Sequence, residues 1–159
     1  MRKLTTLAAV AVALAATASA SADGTSTIGV YGCFVNGGHV TRPAGTQLVA
    51  VTGWAAKTRG LVEDFLQAQT TTLVVNGATP IDASGMYDEA TTRDQGDWVS
   101  FVRVPTGVTL APGESATLAF TLTVSHRLTD GEVFANGERG RPQFLGTGAI
   151  TYSCTVTGV

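Results

Sequence analysis

The sequence predicts a mainly β protein, an antiparallel β-sandwich of seven to eight short strands with one short crossover helix at about residues 59–69. Three observations lead to this prediction. Short segments rich in β-branched residues alternate between apolar and polar positions, turn-forming pairs such as Asn-Gly separate them, and a single segment has helical periodicity.

The first half of the chain is expected to supply four strands. In the segment Ile28 to Val35, every second residue around Tyr31, Cys33 and Val35 is apolar, so a strand is predicted. Asn36-Gly37 after it predicts a tight hairpin turn. His39 to Arg42 is then the short return strand. Thr46 to Trp54 is apolar on both faces, as in a central strand, and Thr70 to Val75 is a β-branched strand.

The helix at about 59–69 is predicted to have a structural role. On a helical wheel, Leu61, Phe65 and Leu66 fall on one side, and Thr58 can cap the start. A helix of this length needs its apolar side buried, because it is not stable alone in water. We expect it to cover one end or edge of the sandwich, beside Trp54.

The second half is expected to alternate between strands and long loops. Ser115 to Val124 has the clearest alternation in the chain and predicts a strand with one buried face. The other segments are a polar loop at 83–96, a strand at 97–104, a segment at 106–113 with prolines around the short apolar piece 108–110, a long loop at 128–144 and a last strand at 148–156.

Residues 1–22 are predicted to be a secretory signal peptide, and residues 23–159 a single β-sandwich domain. The chain begins with the basic Met1-Arg2-Lys3, continues with a short apolar run from Leu4 to Ala18, and then has two A-x-A patterns ending at Ala20 and Ala22. No second apolar run follows, so no membrane association is expected after cleavage. The expected location is secreted or extracellular.

The charge of the expected mature chain excludes some partners. Removing Arg2 and Lys3 from the ten basic residues leaves eight against twelve acidic residues, a formal net charge of −4. This balance gives no indication of nucleic acid or anionic membrane as a partner. An unknown protein or a glycan is the expected partner, no cofactor is indicated, and the oligomeric state is not predicted.

The two cysteines, Cys33 and Cys154, are predicted to form a disulfide. An even pair in an exported protein is typical of such a bond. Both cysteines lie in predicted strands, so the bond would join the first strand to the last across a loop of about 120 residues, which the chain-entropy model values at about 4–5 kcal/mol. A reactive or metal-bound thiol pair remains the alternative.

The segment LAPGESATLAFTLTV, Leu110 to Val124, resembles the proline-glycine-acid turn and strand of bacterial secreted immunoglobulin-like and fibronectin-III-like domains. The resemblance implies an immunoglobulin-like sandwich and almost nothing about function, because such domains serve adhesion, spacing and binding alike. In antibody-type domains a tryptophan packs against the inter-sheet disulfide, so the resemblance implies that Trp54 or Trp98 has this role.

No catalytic residue is assigned from the sequence. His39 and His126 are the candidates for a general base, but neither lies in a nucleophile pattern such as G-x-S-x-G. Each is interpreted as a histidine at a strand end or beside a turn with one hydrogen bond, and a catalytic role remains the alternative.

Four acidic residues in one predicted loop, Asp88, Glu89, Asp94 and Asp97, are weak candidates for a calcium site. Ca²⁺ takes six to eight oxygen ligands from flexible loops. The spacing matches no EF-hand pattern, and Arg93 lies among the acids. A solvated acidic loop is the preferred interpretation, and the metal remains unknown.

Loop aromatics suggest a possible binding surface, made of Tyr87, Phe134 and Phe144 with Arg139 and Arg141. Aromatic residues in the loops of a rigid scaffold commonly bind sugars or proteins. The alternative is that these rings close the ends of the sandwich as plugs, and that the arginines belong to a solvated loop of mixed charge.

Three functions remain open on the sequence alone. The first is a secreted, noncatalytic β-sandwich protein with a binding or structural role outside the cell. The second is a small secreted hydrolase or metal-dependent enzyme, which needs the acidic loop and a histidine to meet in space. The third is an inhibitor of an extracellular protease that presents a loop such as Gly131 to Pro142.

Overall fold

The computed structural model describes residues 24–93, 96–131 and 144–159, and in them two β-sheets face each other across a hydrophobic core. The predicted mainly β fold is therefore confirmed. The predicted signal peptide at 1–22 lies outside the described residues. None of the helices in the described ranges has the length and apolar character that a bilayer crossing requires.

Short strands, two α-helices and a 3₁₀ turn make up the described chain. In order they are β1 Thr25–Gly29, α1 Val30–Val35, β2 His39–Arg42, β3 Gln47–Ala56, α2 Arg59–Ala68, β4 Gln69–Val75, β5 Ile81–Asp82, the 3₁₀ turn Ser84–Met86, β6 Thr91–Thr92, β7 Trp98–Thr109, β8 Ser115–Val124, β9 Leu128–Thr129, β10 Phe144–Leu145 and β11 Gly148–Gly158. The strands beyond the seven or eight expected are the two-residue pairings β5, β6, β9 and β10.

The first sheet has the strand order β1-β3-β7-β6, and the second has the order β2-β11-β8-β4-β5. Most neighbours are antiparallel, as predicted, but both sheets are mixed. β1 runs parallel to β3, and β2 runs parallel to β11. The reason is that β1 and β2 lie at the edges of different sheets, so the chain crosses between the sheets instead of turning back on itself.

The predicted strand at 28–35 is wrong beyond Gly29, because the chain turns there into helix α1. Val30 and Cys33 are buried, which is the i, i+3 spacing of a helix and not the alternation of a strand. The expected hairpin at Asn36-Gly37 instead ends this helix: the N–H groups of Asn36 and Gly38 donate to the carbonyl of Cys33, at 3.2 and 2.8 Å. A short apolar run fits both the helical and the strand spacing, so the sequence alone did not distinguish a helix from a strand here.

Strand β7 continues past Pro105, where the sequence predicted that the strand ends at Val104. A proline donates no hydrogen bond to a ladder and is tolerated at bulges. The pairing of β7 with β3 is irregular here, with a register shift between Gln47 and Val49. Thr106 Oγ1 donates to the carbonyl of Leu48 at 2.8 Å, which supplies a side-chain bond within the irregular stretch.

Strand β8 confirms the clearest sequence prediction and lies inside the second sheet, between β11 and β4. Its alternating apolar residues are buried, and its polar face carries threonines, of which Thr121 bonds Thr151 across to β11 at 2.8 Å. The inward residues are Ala116, Leu118, Phe120, Leu122 and Val124.

The core consists of two clusters. The first lies between the two sheets and contains both cysteines, and its larger members are Ile28, Leu48, Val102, Val104, Leu73, Leu118, Phe120, Tyr152 and Val156. The second lies against α2, and its members are Trp54, Ala56, Val62, Phe65, Ala68, Leu122, Val124 and Leu128. Because β3 of the first sheet and β8 of the second contribute to both, the clusters are continuous along both sheets.

Helix α2 confirms the predicted crossover helix. Thr58 caps its start, its Oγ1 accepting the N–H of Leu61 at 3.4 Å. Phe65 is buried, and its ring stacks on Trp54 with 5.6 Å between centroids. Since Trp54 and Trp98 both pack in the second cluster, neither has the expected place against the disulfide, whose cysteines belong to the first.

We expect Phe65→Ala to lower the free energy of unfolding by about 3–5 kcal/mol, because it removes a fully buried ring from the stack on Trp54. Urea unfolding followed by circular dichroism measures the change. Gln67→Ala, at an exposed position of the same helix, is the matched control and should change stability by less than about 0.5 kcal/mol. A loss below about 1 kcal/mol for Phe65→Ala would show that the helix is not packed on the core.

Candidate functional site

Helix α1 presents large apolar side chains to solvent. The rings of Tyr31 and Phe34 are 52 and 48% exposed, and Val35 is 55% exposed. In a helix these positions are related by i, i+3 and i+4 and therefore share a side. We call these three residues the α1 patch. The whole helix, Val30–Val35, carries no charged residue.

A disulfide between Cys33 and Cys154 fixes α1 on the last strand, as predicted for these two cysteines. Their Cα atoms are 5.7 Å apart, and both cysteines are buried. The bond joins a helix to β11, however, and not the first strand to the last. Val30 is fully buried one turn before Cys33, so one side of the short helix is fixed while the other stays exposed.

Tyr152 supports the α1 patch from below. The centroid of its ring lies 5.6 Å from that of Tyr31 in an edge-to-face contact and 6.5 Å from that of Phe34. On the core side it contacts Phe120, at 6.2 Å. Its hydroxyl and Thr52 Oγ1 of the first sheet share a hydrogen bond of 2.5 Å. Burial raises the pKa of Tyr152, and the bond to Thr52 offsets part of that effect.

The α1 patch therefore consists of exposed rings held on a buried aromatic support. Aromatic side chains have few rotatable bonds and large contact areas, so rings that are already fixed lose little entropy on binding. The sequence prediction missed this surface because a strand would place Tyr31 and Phe34 on opposite faces. The signal that could have revealed it is the spacing Y-x-x-F-V.

Tyr87, one of the predicted surface aromatics, is half-buried and packs as a plug. Its ring meets Phe65 edge to face at 5.4 Å, and its hydroxyl lies 3.1 Å from Thr71 Oγ1. Burial raises the pKa of Tyr87 far above its usual value, and the hydrogen bond to Thr71 offsets only part of this. These contacts support the alternative interpretation in which this ring closes one end of the sandwich.

Of the other predicted binding residues, the structure describes the backbone of Phe144 alone. Phe134, Arg139 and Arg141 lie outside the described residues, and so does most of the segment Gly131 to Pro142 that an inhibitor would present. Phe144 begins β10, where its backbone pairs with Thr129. A binding surface that includes these residues stays a prediction.

The predicted calcium candidates do not gather in the described part of the chain. Asp88 is bonded to Arg103, and Asp97 pairs with Arg93 at 3.1 Å. Glu89 is exposed, and Asp94 lies outside the described residues. Within the described ranges no three His, Cys, Asp or Glu side chains are close enough together to hold a metal ion. The carboxylates of Asp88 and Asp97 are therefore in ion pairs with arginines.

The two histidines have different surroundings. His126 Nε2 lies 3.0 Å from Asp64 Oδ1 on α2, and its Nδ1 lies 3.3 Å from Ser125 Oγ. A neutral ring that donates from Nε2 to the carboxylate leaves Nδ1 to accept the Ser125 hydroxyl, which is the relation between a base and a nucleophile. Among the described residues, the hydrogen-bond partner of His39 Nε2 is a hydroxyl, Thr157 Oγ1, at 2.9 Å.

The Ser125–His126–Asp64 chain lies on the surface, with the side chains of His126 and Asp64 about half exposed. The backbone N–H of Ser125 donates to the carbonyl of Ala68 at 3.0 Å and is not free to stabilise an oxyanion at that serine. The arrangement links α2 to the turn after β8. The sequence required a histidine to meet the acidic loop for an enzyme, but in the described residues the carboxylate beside His126 is Asp64 of α2.

We expect the free energy of unfolding to fall as the pH rises above about 10, the ordinary tyrosine pKa. Tyr87 and Tyr152 have raised pKa values in the folded protein, so the unfolded chain loses their protons first, and the stability that is present below pH 10 declines above it. Urea unfolding at several alkaline pH values measures the slope. Tyr87→Phe should have a shallower slope than wild type by up to about 1.4 kcal/mol per pH unit. Equal slopes would contradict the burial of this hydroxyl.

The chain as a whole gives no significant match to a protein-family model, a curated protein or a solved structure. What the protein does must therefore be argued from its own residues and from the surfaces described above.

Proposed function

We propose that this protein is a secreted, noncatalytic β-sandwich domain of the immunoglobulin-like type that binds a protein or a glycan outside the cell through the α1 patch. The observation that carries the proposal is the patch itself: two half-exposed aromatic rings on a six-residue helix, held in place by a disulfide and by Tyr152.

Export is supported by two independent features. The first 22 residues have the basic start, apolar run and A-x-A sites of a signal peptide. The disulfide Cys33–Cys154 is of a kind that persists in oxidising compartments and is rare in the cytosol.

The immunoglobulin-like assignment is supported by the two facing sheets and by the segment Leu110 to Val124. In that segment Glu114 Oε2 accepts the N–H of Ala111 at 2.9 Å, Gly113 has a φ of +80°, and β8 follows directly. The positive φ is one that glycine adopts without strain, as the proline-glycine-acid turn requires. The parallel strand pairs and the position of the disulfide separate this chain from antibody-type domains.

Binding through the α1 patch is supported by its composition. Interfaces commonly concentrate their binding energy in a few aromatic residues that fill pockets of the partner, and charged residues are depleted at their centres. The α1 patch resembles such a centre in composition, because two of its three residues are aromatic and its helix carries no charge. The exposed rings are also costly to leave in water, which favours a covered state.

The double substitution Tyr31→Ser and Phe34→Ser is expected to weaken retention of the purified mature domain on the producing organism's cell surface and culture components at least about tenfold. The matched control is Met86→Ser, which removes a 46% exposed apolar side chain from the 3₁₀ turn and should bind like wild type. Surface plasmon resonance against each captured component gives the affinities. Equal retention of the double variant and wild type would refute the proposed contact surface.

A small hydrolase is the second candidate, because Ser125, His126 and Asp64 form a continuous hydrogen-bonded chain. The noncatalytic proposal predicts that wild type releases p-nitrophenol from an activated acetate ester no faster than His126→Gln does. A loss of at least about a hundredfold in His126→Gln and Asp64→Asn, with no change in His39→Gln, would instead establish general-base catalysis. His39 is the matched control because it bonds a hydroxyl but no carboxylate.

A further inference from the structure

We propose that the α1 patch is redox-dependent: reduction of Cys33–Cys154 by a dithiol releases α1 from the sandwich while both sheets remain folded, and so removes the contact surface. This inference rests on the proposed function, because it concerns the regulation of the same surface.

Helix α1 is capped at its C-terminal end, where Asn36 Nδ2 donates to the carbonyl of Gly32 at 2.7 Å, but its other local interactions are few. It is six residues long, its N-cap residue Gly29 makes no side-chain capping bond, and its terminal turns carry no acidic or basic residue that would favour the helix dipole. Helix α2, in contrast, has a Thr58 cap and an Arg59–Glu63 ion pair at 2.7 Å. So short a helix does not persist in water unless tertiary contacts hold it.

The tertiary contacts of α1 centre on Cys33. The disulfide attaches the middle of the helix to β11, and the rings of Tyr31 and Phe34 lie against Tyr152, two residues before Cys154 on that strand. Val30 is the other buried residue of the helix. Breaking the covalent bond therefore leaves α1 attached by the buried side chains of Val30 and the reduced Cys33 and by two half-exposed rings.

Strand β11, on the other side of the bond, is held independently. It pairs with β8 from Gly148 to Thr157 and with β2 from Thr155 to Gly158. Its inward residues Tyr152 and Val156 are buried in the first cluster, and Tyr152 is also bonded to Thr52. When the bond breaks, the weakly held partner moves and the strand stays, which makes the change local to α1.

The chemistry of the step is thiol–disulfide exchange. A thiolate of the dithiol attacks one protein sulfur, the S–S bond breaks, and the other cysteine leaves as a thiolate that takes a proton from water. The second thiol of the reductant then displaces the first cysteine and leaves as a cyclic disulfide, so the protein gains two electrons and two protons. Cys33 and Cys154 are 5 and 1% exposed, so the dithiol reaches the sulfurs during brief local fluctuations, and the reduction then makes the release of α1 lasting.

Hydrogen exchange measured by mass spectrometry tests the proposal without any ligand. The mature protein is compared in its oxidised form, after treatment with dithiothreitol, and as the Cys33→Ser, Cys154→Ser variant. We expect amides of α1 to exchange at least about tenfold faster in the reduced and variant forms, while amides of β8 keep their protection.

Two outcomes overturn the proposal. Unchanged exchange in α1 after reduction means that the disulfide does not hold the helix. Simultaneous loss of protection in α1 and β8, in either the reduced protein or the variant, means that the bond holds the whole fold and not a local element. If the oxidised protein binds no partner, the proposed function is refuted, but the exchange result stands. If the reduced protein binds a partner as well as the oxidised protein does, the redox dependence alone is refuted.

Discussion

The contact between Tyr152 and Thr52 is the point at which the main parts of the structure meet. One hydroxyl–hydroxyl bond joins the two sheets through the core, and the same tyrosine ring touches Phe120 inside and α1 outside. Burial of a tyrosine hydroxyl is unfavourable unless it is hydrogen-bonded, so this pairing fixes how the sheets face each other. The disulfide, two residues further along β11, fastens α1 over the same region.

The two helices are attached to the core by different means. A covalent bond ties α1 to β11, whereas α2 is held by packing of Phe65 between Trp54 and Tyr87. The buried Trp54 Nε1 has no hydrogen-bond partner among the described residues, which fits a site dominated by ring contacts. The rings around α2 are packed against one another, whereas the rings of α1 are half exposed and free to contact a partner.

The sequence predicted correctly the elements in which apolar residues repeat with a single spacing, either every second residue or every third to fourth residue, along the whole element. In β8 the alternation continues for enough residues to exclude a helix, and in α2 the helical spacing continues for enough residues to exclude a strand. Both elements are confirmed. The run Val30–Val35 is too short to distinguish a helix from a strand by its spacing. The sequence therefore missed α1 and with it the parallel pairings of β1 and β2. The disulfide could be predicted because the chain has two cysteines, which allow a single pairing. The packing of Tyr87 depends on Phe65, a distant residue that no local pattern indicates.

The position of the disulfide also constrains the order of events during synthesis. The partner of Cys33 lies 121 residues later in the chain, and among the described strands β2 pairs with β11 alone. The second sheet and α1 therefore cannot be completed while β11 is still in the ribosome. Contacts between residues so far apart along the chain are slow to form, so the amino-terminal third of the domain is expected to stay accessible to chaperones and proteases until the last strand emerges.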